Sequence, residues 1–86
     1  MKNIIKENYE STVKRGLITP FTTTKEFLFK IEEELDELFD SFLQDDETFD
    51  KYELADVIMV CLNMAHHYDI DIIETIKQKI EINKNR

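Results

Sequence analysis

The chain has 86 residues, enough for one small domain. Nineteen acids against eleven lysines and arginines leave a net charge of −8. A general coat for DNA or RNA would need a basic face, so a nucleic-acid polymer is not expected as partner. One glycine and one proline are too few for the turns of an all-β fold, while 42 % hydrophobic residues exceed what a disordered tail carries. The single Cys61 excludes an internal disulfide framework and a cysteine-built zinc site. No apolar run reaches the ~18 residues of a membrane span. The first nine residues also lack the apolar core of a signal peptide. A soluble, cytoplasmic, all-α protein is expected, small enough for self-association to complete its core.

In chain order, residues 3–15 fit a short first helix with Ile4, Ile5, Tyr9 and Val13 as its apolar side. They fall in an N-terminal segment, 1–21, distinct from a main helical domain, 22–86. Gly16 is a helix stop. Pro20 and the threonines Thr22, Thr23 and Thr24 suit a loop and an N-cap. Helix two is expected over 24–43, with Leu28, Ile31, Leu35, Leu38 and Phe42 as a seam at alternating spacings of three and four. Residues 44–50 read as a connection. Asp45 to Asp50 do not form an EF-hand loop, because the turn glycine and the ligand spacing are missing. Helix three is expected over 49–67. Its apolar run 57–62 predicts burial on most sides, with Cys61 as inert packing. Asp69 and Asp71 punctuate, and helix four follows from about residue 71 with Ile73, Ile76 and Ile80 inward. Short connections predict an antiparallel helical bundle, completed by homo-oligomerisation.

The acidity is concentrated. Between Glu26 and Asp56 stand thirteen acids and two lysines, so the rest of the chain is slightly basic. A charge run of this kind more often marks a solvated helix face than a cation site. Spacing sharpens the reading. On helix two, Lys30, Glu34, Glu37 and Ser41 form a line beside the apolar seam, so Glu34 and Glu37 border the core. Residues three apart place their Cβ atoms about 5–6 Å from each other, which lets two carboxylates share a hard cation. Helix three offers Glu53 and Asp56 at the same spacing, on a line that continues through Val60, Asn63 and His67. An unpaired Asp56 beside an apolar run would be costly, and a cation removes that cost. Two antiparallel helices with one acidic pair each make a four-carboxylate cage suited to Mg²⁺ or Mn²⁺.

The adjacent His66 and His67 point about 100° apart and cannot chelate together, which favours a surface or rim role. His67 lies on the acidic line, so contact with a base or phosphate is open. Asn63 either reads a nucleotide or fills a polar gap. Phe27, Phe29 and Phe39 read as secondary core or interface.

The run Glu33-Glu34-Leu35-Asp36-Glu37, followed by Glu53-Leu54-Ala55-Asp56, resembles the EExxE and ExxD pattern of MazG-like nucleotide pyrophosphohydrolases, members of the all-α nucleoside triphosphate pyrophosphatase superfamily. Lys30 before the first acids, Asp69-Ile70-Asp71, and the Lys79, Asn83, Arg86 ending are also similar to that family. The likeness covers about residues 25–86. Asp36 departs from it, since glycine is frequent there. The resemblance implies Mg²⁺-dependent hydrolysis of a nucleoside triphosphate to the monophosphate and pyrophosphate. It implies metal ligands at Glu34, Glu37, Glu53 and Asp56, with Glu33, Glu34 or Glu37 as the catalytic proton acceptor. Lys30, Asn63, Lys79, Asn83 and Arg86 are the expected substrate-binding residues, and a homodimer or homotetramer the expected assembly. Lys30 equally suits an ordinary helix pair with Glu34. Phosphoribosyl-ATP pyrophosphatase, with the same cage, is the nearest alternative, and a non-catalytic helical interaction module the next. A coiled-coil element would need more heptads than the five seam positions supply.

Overall fold

A computed structural model of the chain describes residues 2–44 and 48–86. Among the described residues it is all-helical: α1 (Lys2–Lys14), α2 (Thr24–Gln44), α3 (Lys51–His67) and α4 (Ile72–Lys84). The expected connection at Asp45, Asp46 and Glu47 lies outside the described residues.

The helix ends follow from local chemistry. Gly16 adopts φ 77°, and beside it the Gly16 and Leu17 amides donate to the Val13 and Thr12 carbonyls, which closes α1. The Thr23 hydroxyl accepts from the Glu26 amide at 3.2 Å, and the Glu26 carboxylate accepts from the Thr23 amide at 2.8 Å. This reciprocal pair starts α2. Asp50 and Asp71 cap α3 and α4 by accepting from the Tyr52 and Glu74 amides. α3 ends as α1 does, with the Ile70 amide on the Ala65 carbonyl at 2.9 Å. Here Asp69 (φ 55°) occupies the left-handed position that glycine fills after α1.

α2 and α3 run antiparallel. Thr24 at the start of α2 meets Tyr68 after α3, with the hydroxyls 2.6 Å apart. Near the other end, Ser41 Oγ accepts from the Asp50 amide at 3.2 Å. α1 packs along α3, where Asn8 and Thr12 bond Asn63. Among the described residues α4 packs only against α3 and buries none of its own side chains.

The buried apolar set is small: Ile5, Ile18, Phe27 and Ala65. Several expected faces are therefore corrected. On α1 the covered positions are Ile5 and Thr12, while Ile4 and Val13 face solvent, because the asparagine-binding side of this helix turns toward α3. On α2 the covered line is Phe27, Ile31, Glu34, Leu38 and Ser41. Leu28, Leu35 and Phe42 of the expected seam are exposed, so the helix is rotated to bring Glu34 into the interface. α3 is not covered on most sides, since Ile58, Met59 and Cys61 are exposed. Ile76 and Ile80 of α4 are also exposed, because α4 stands away from α1 and α2.

Candidate metal centre

The rotation of α2 places Glu34 against α3, buried, with Glu33 and Glu37 on the exposed flank of the same turns. Across the interface, the Asp50 cap puts Glu53 in the first turn of α3 and Asp56 one turn later. The result is one cluster. Carboxylate oxygens of Glu33, Glu34 and Glu37 lie within 4.8 Å of one another, as do those of Glu34, Glu53 and Asp56. Glu34 belongs to both sets, so five acids from two helices converge around it.

Lys30 pairs with this cluster. Its ammonium stands 3.0 Å from Glu34 and 3.4 Å from Glu33. The hydrogen bond to Glu34 raises the Lys30 pKa above its ordinary value; partial burial opposes this, and the charges of Glu34 and Glu33 add to it. One lysine does not balance five acids. The Glu37 carboxyl is accordingly pushed above the usual carboxylate range, first by a hydrogen bond with Glu34, then by the Glu34 charge, with lesser contributions from Glu53 and Glu33.

Glu53 Oε2 is buried and has no hydrogen-bond partner among the described residues. A shielded acceptor left without a donor costs about 1–3 kcal/mol, more when charged. A divalent cation held by Glu34, Glu53 and Asp56 would offset the charge around that carboxylate. An all-oxygen donor set suits Mg²⁺ or Mn²⁺ rather than a thiolate-seeking metal. The residues therefore fit the expected ion.

A cleft of about 760 Å³ opens beside the cluster, within the ~300–1,000 Å³ range of small-molecule sites. Lys30, Glu34, Asp56 and Asn63 line it. Glu33, Glu37 and Glu53 stand in the cluster without lining the cleft. Lys79, Asn83 and Arg86 are exposed on and after α4, outside both cleft and cluster in the single chain. Asn63 is buried: its Oδ1 accepts from Asn8 at 2.9 Å and its Nδ2 donates to Thr12 at 3.3 Å.

His67 is also a structural tie. Its Nε2 donates to the Thr22 carbonyl at 3.0 Å, and its Nδ1 faces the Tyr9 hydroxyl at 2.8 Å. The ring also packs on Phe27, centroid to centroid 4.9 Å. It joins α1, the 15–23 loop, α2 and α3, and it does not line the cleft. Sequence reasoning missed the contribution of α1 and its loop, since Asn8, Thr12, Arg15 and Phe21 all line the cleft. The available signal was the spacing of four and three from Asn8 to Thr12 to Arg15, a polar stripe next to Ile5 on one helix face.

Comparison of the chain with protein-family models, with curated proteins and with solved structures returns no match. No helix among the described residues is long and apolar enough to cross a membrane.

Proposed function

We propose that this chain is a MazG-like nucleoside triphosphate pyrophosphohydrolase, dependent on Mg²⁺ or Mn²⁺ and active as a homo-oligomer. The observation that carries the reading is the convergence of acids from two antiparallel helices on Glu34, with the buried Glu53 oxygen lacking a donor among the described residues. Glu34, Glu37, Glu53 and Asp56 hold the cation. When bound, it supplies charge neutralisation for the triphosphate and a more acidic water. Glu33, exposed on the flank, accepts the proton of the attacking water. Lys30 lines the cleft and offsets part of the Glu34 charge. Asn63 holds α1 in place and so shapes the cleft wall.

The homo-oligomer rests on surface. The chain exposes 6,907 Å². A folded monomer of 10.3 kDa ordinarily exposes about 5,400 Å². Its radius of gyration, 14.7 Å, compares with about 12 Å for a compact domain of this length. Exposed apolar side chains include Leu28, Leu35, Phe39 and Phe42 on α2 and, separately, Ile76 and Ile80 on α4. An area of this size and composition matches an obligate dimer interface. Assembly is also the state in which α4, with Lys79, Asn83 and Arg86, gains a packing surface beyond α3.

The test is an assay with Mg²⁺ across ribo-, deoxyribo- and modified nucleoside triphosphates and phosphoribosyl-ATP, scoring pyrophosphate and orthophosphate separately. Release of monophosphate with pyrophosphate supports the reading. Turnover of phosphoribosyl-ATP alone selects that pyrophosphatase instead. No pyrophosphate from any substrate, with Mg²⁺ or Mn²⁺, leaves a helical interaction module.

A further inference from the structure

α1 lies outside the family-like part of the chain, yet it forms one wall of the cleft. Along α3, Asp56 and Asn63 are seven residues apart, about 10 Å of helix axis. The cleft therefore has an acidic end at Glu34 and Asp56, and an amide end where Asn63 meets α1. α1 runs antiparallel to α3: Asn3 and Lys6 share a small cavity with His66 and Asp69, while Arg15 shares the main cleft with Asp56 and Met59. Arg15 thus sits about one turn beyond Thr12, toward the acidic end.

One side chain of α1 and one in the loop just after it hold unused recognition chemistry. The Arg15 guanidinium has no ion pair or hydrogen bond among the described residues, whereas Lys30, the other cation lining the cleft, is committed to Glu34 and Glu33. Asn8 uses one amide hydrogen on Asn63 Oδ1. Its Oδ1 and its second amide hydrogen take no partner among the described residues, although the side chain lines the cleft. A free guanidinium near an acidic, cation-binding end suits phosphate oxygens. A carboxamide offering one donor and one acceptor suits the hydrogen-bonding edge of a nucleobase.

We propose that α1 and the residue that follows it recognise a nucleoside phosphate lying along this cleft, with Arg15 taking phosphate oxygens beside the metal centre and Asn8 taking the base edge. Asn63 is then a positioning residue, which fixes Asn8 through its Oδ1 and Thr12 through one amide hydrogen. The proposal rests on the reading that the acidic cluster holds a divalent cation.

The experiment titrates wild type, Arg15→Ala, Arg15→Lys and Asn8→Ala with three probes: Mn²⁺ alone, Mn²⁺-tripolyphosphate, and the Mn²⁺ complexes of the α,β-imido analogues of ATP, GTP, CTP and UTP. All four proteins bind Mn²⁺ alike. Arg15→Ala weakens tripolyphosphate and every nucleotide together by about tenfold or more, the range for losing a charged hydrogen bond, and Arg15→Lys recovers part of it. Asn8→Ala leaves tripolyphosphate unchanged and compresses the spread among the four bases to about twofold. The proposal is overturned if Arg15→Ala binds tripolyphosphate as wild type does. It is equally overturned if wild type binds the nucleotides no more tightly than tripolyphosphate, a result that needs no variant to fold. Failure of wild type to take up Mn²⁺ removes the metal reading and this proposal with it. Normal Mn²⁺ uptake with both variants indifferent removes this proposal alone.

Discussion

Glu53 of α3, in the cluster centred on Glu34 of α2, buries a carboxylate oxygen that has no donor among the described residues. Helix pairing brings these two acids together against their mutual repulsion. The metal-free protein therefore carries a cost that a cation removes. Glu53→Gln keeps the shape and places amide hydrogens among the remaining carboxylates. Its metal-free form is expected to be more stable than wild type by about 1 kcal/mol, a rise of roughly 4–8 °C in melting temperature. The Mg²⁺-induced rise of wild type is expected to shrink sharply in this variant. Thermal melts with and without Mg²⁺ check both.

Proton uptake by Glu37 gives a pH signature. Its folded pKa lies above the ordinary value, mainly through Glu34, so the folded state holds this proton more tightly than the unfolded chain. The associated stability is present below the ordinary carboxylate pKa and is lost as pH rises through the higher folded value. Glu37→Gln is expected to raise the melting temperature of the metal-free protein more at about pH 7.5 than at about pH 4, because the wild-type carboxyl loses its favourable proton as pH rises. Melts at the two pH values in a chelator check it.

Asp69 occupies a left-handed backbone position at the end of α3, where Gly16 ends α1 without penalty. Asp69→Gly is expected to stabilise the fold by on the order of 1 kcal/mol with no effect on metal affinity. Denaturant unfolding measures the first and Mn²⁺ titration the second.

The Tyr9–His67–Thr22 chain ties the cleft's outer loop to α3. Tyr9→Phe removes one hydrogen bond, worth about 0.5–1.5 kcal/mol. It is expected to speed amide exchange in the 15–23 loop more than in α2 or α3. Hydrogen–deuterium exchange resolved by segment checks it.

The helices were legible to within a few residues because Gly16, Pro20, the threonines at 22–24, and Asp69 and Asp71 punctuate the chain; helix three was expected from 49, and Asp50 instead caps a helix that starts at Lys51. Convergence of Glu34, Glu37, Glu53 and Asp56 was legible from spacings of three on two antiparallel helices. The rotation of α2 was not. Phe27, Ile31 and Leu38 form an inward line as regular as the Leu28–Leu35–Phe42 line beside it, and only tertiary packing chooses between overlapping apolar arcs. The wall formed by α1 was hidden for a related reason. Beyond their spacing, Asn8 and Thr12 carry no signal of their own in the sequence, and their partner Asn63 lies more than fifty residues away.

The exposed apolar arc of α2 predicts assembly. Leu35→Glu or Phe39→Glu is expected to lower the oligomeric state, because a charge at such an interface is left desolvated and unpaired. Sedimentation velocity of wild type and variants reads it directly; a wild type that sediments as a monomer at all concentrations contradicts it.

The most direct measurement of the central claim is Mn²⁺ binding followed by electron paramagnetic resonance, in wild type and in Glu34→Gln. Glu34 is shared by both halves of the cluster, so wild type is expected to take up Mn²⁺ and the variant to lose at least about tenfold in affinity. Equal affinity in the two proteins, or no uptake by wild type, would contradict the account.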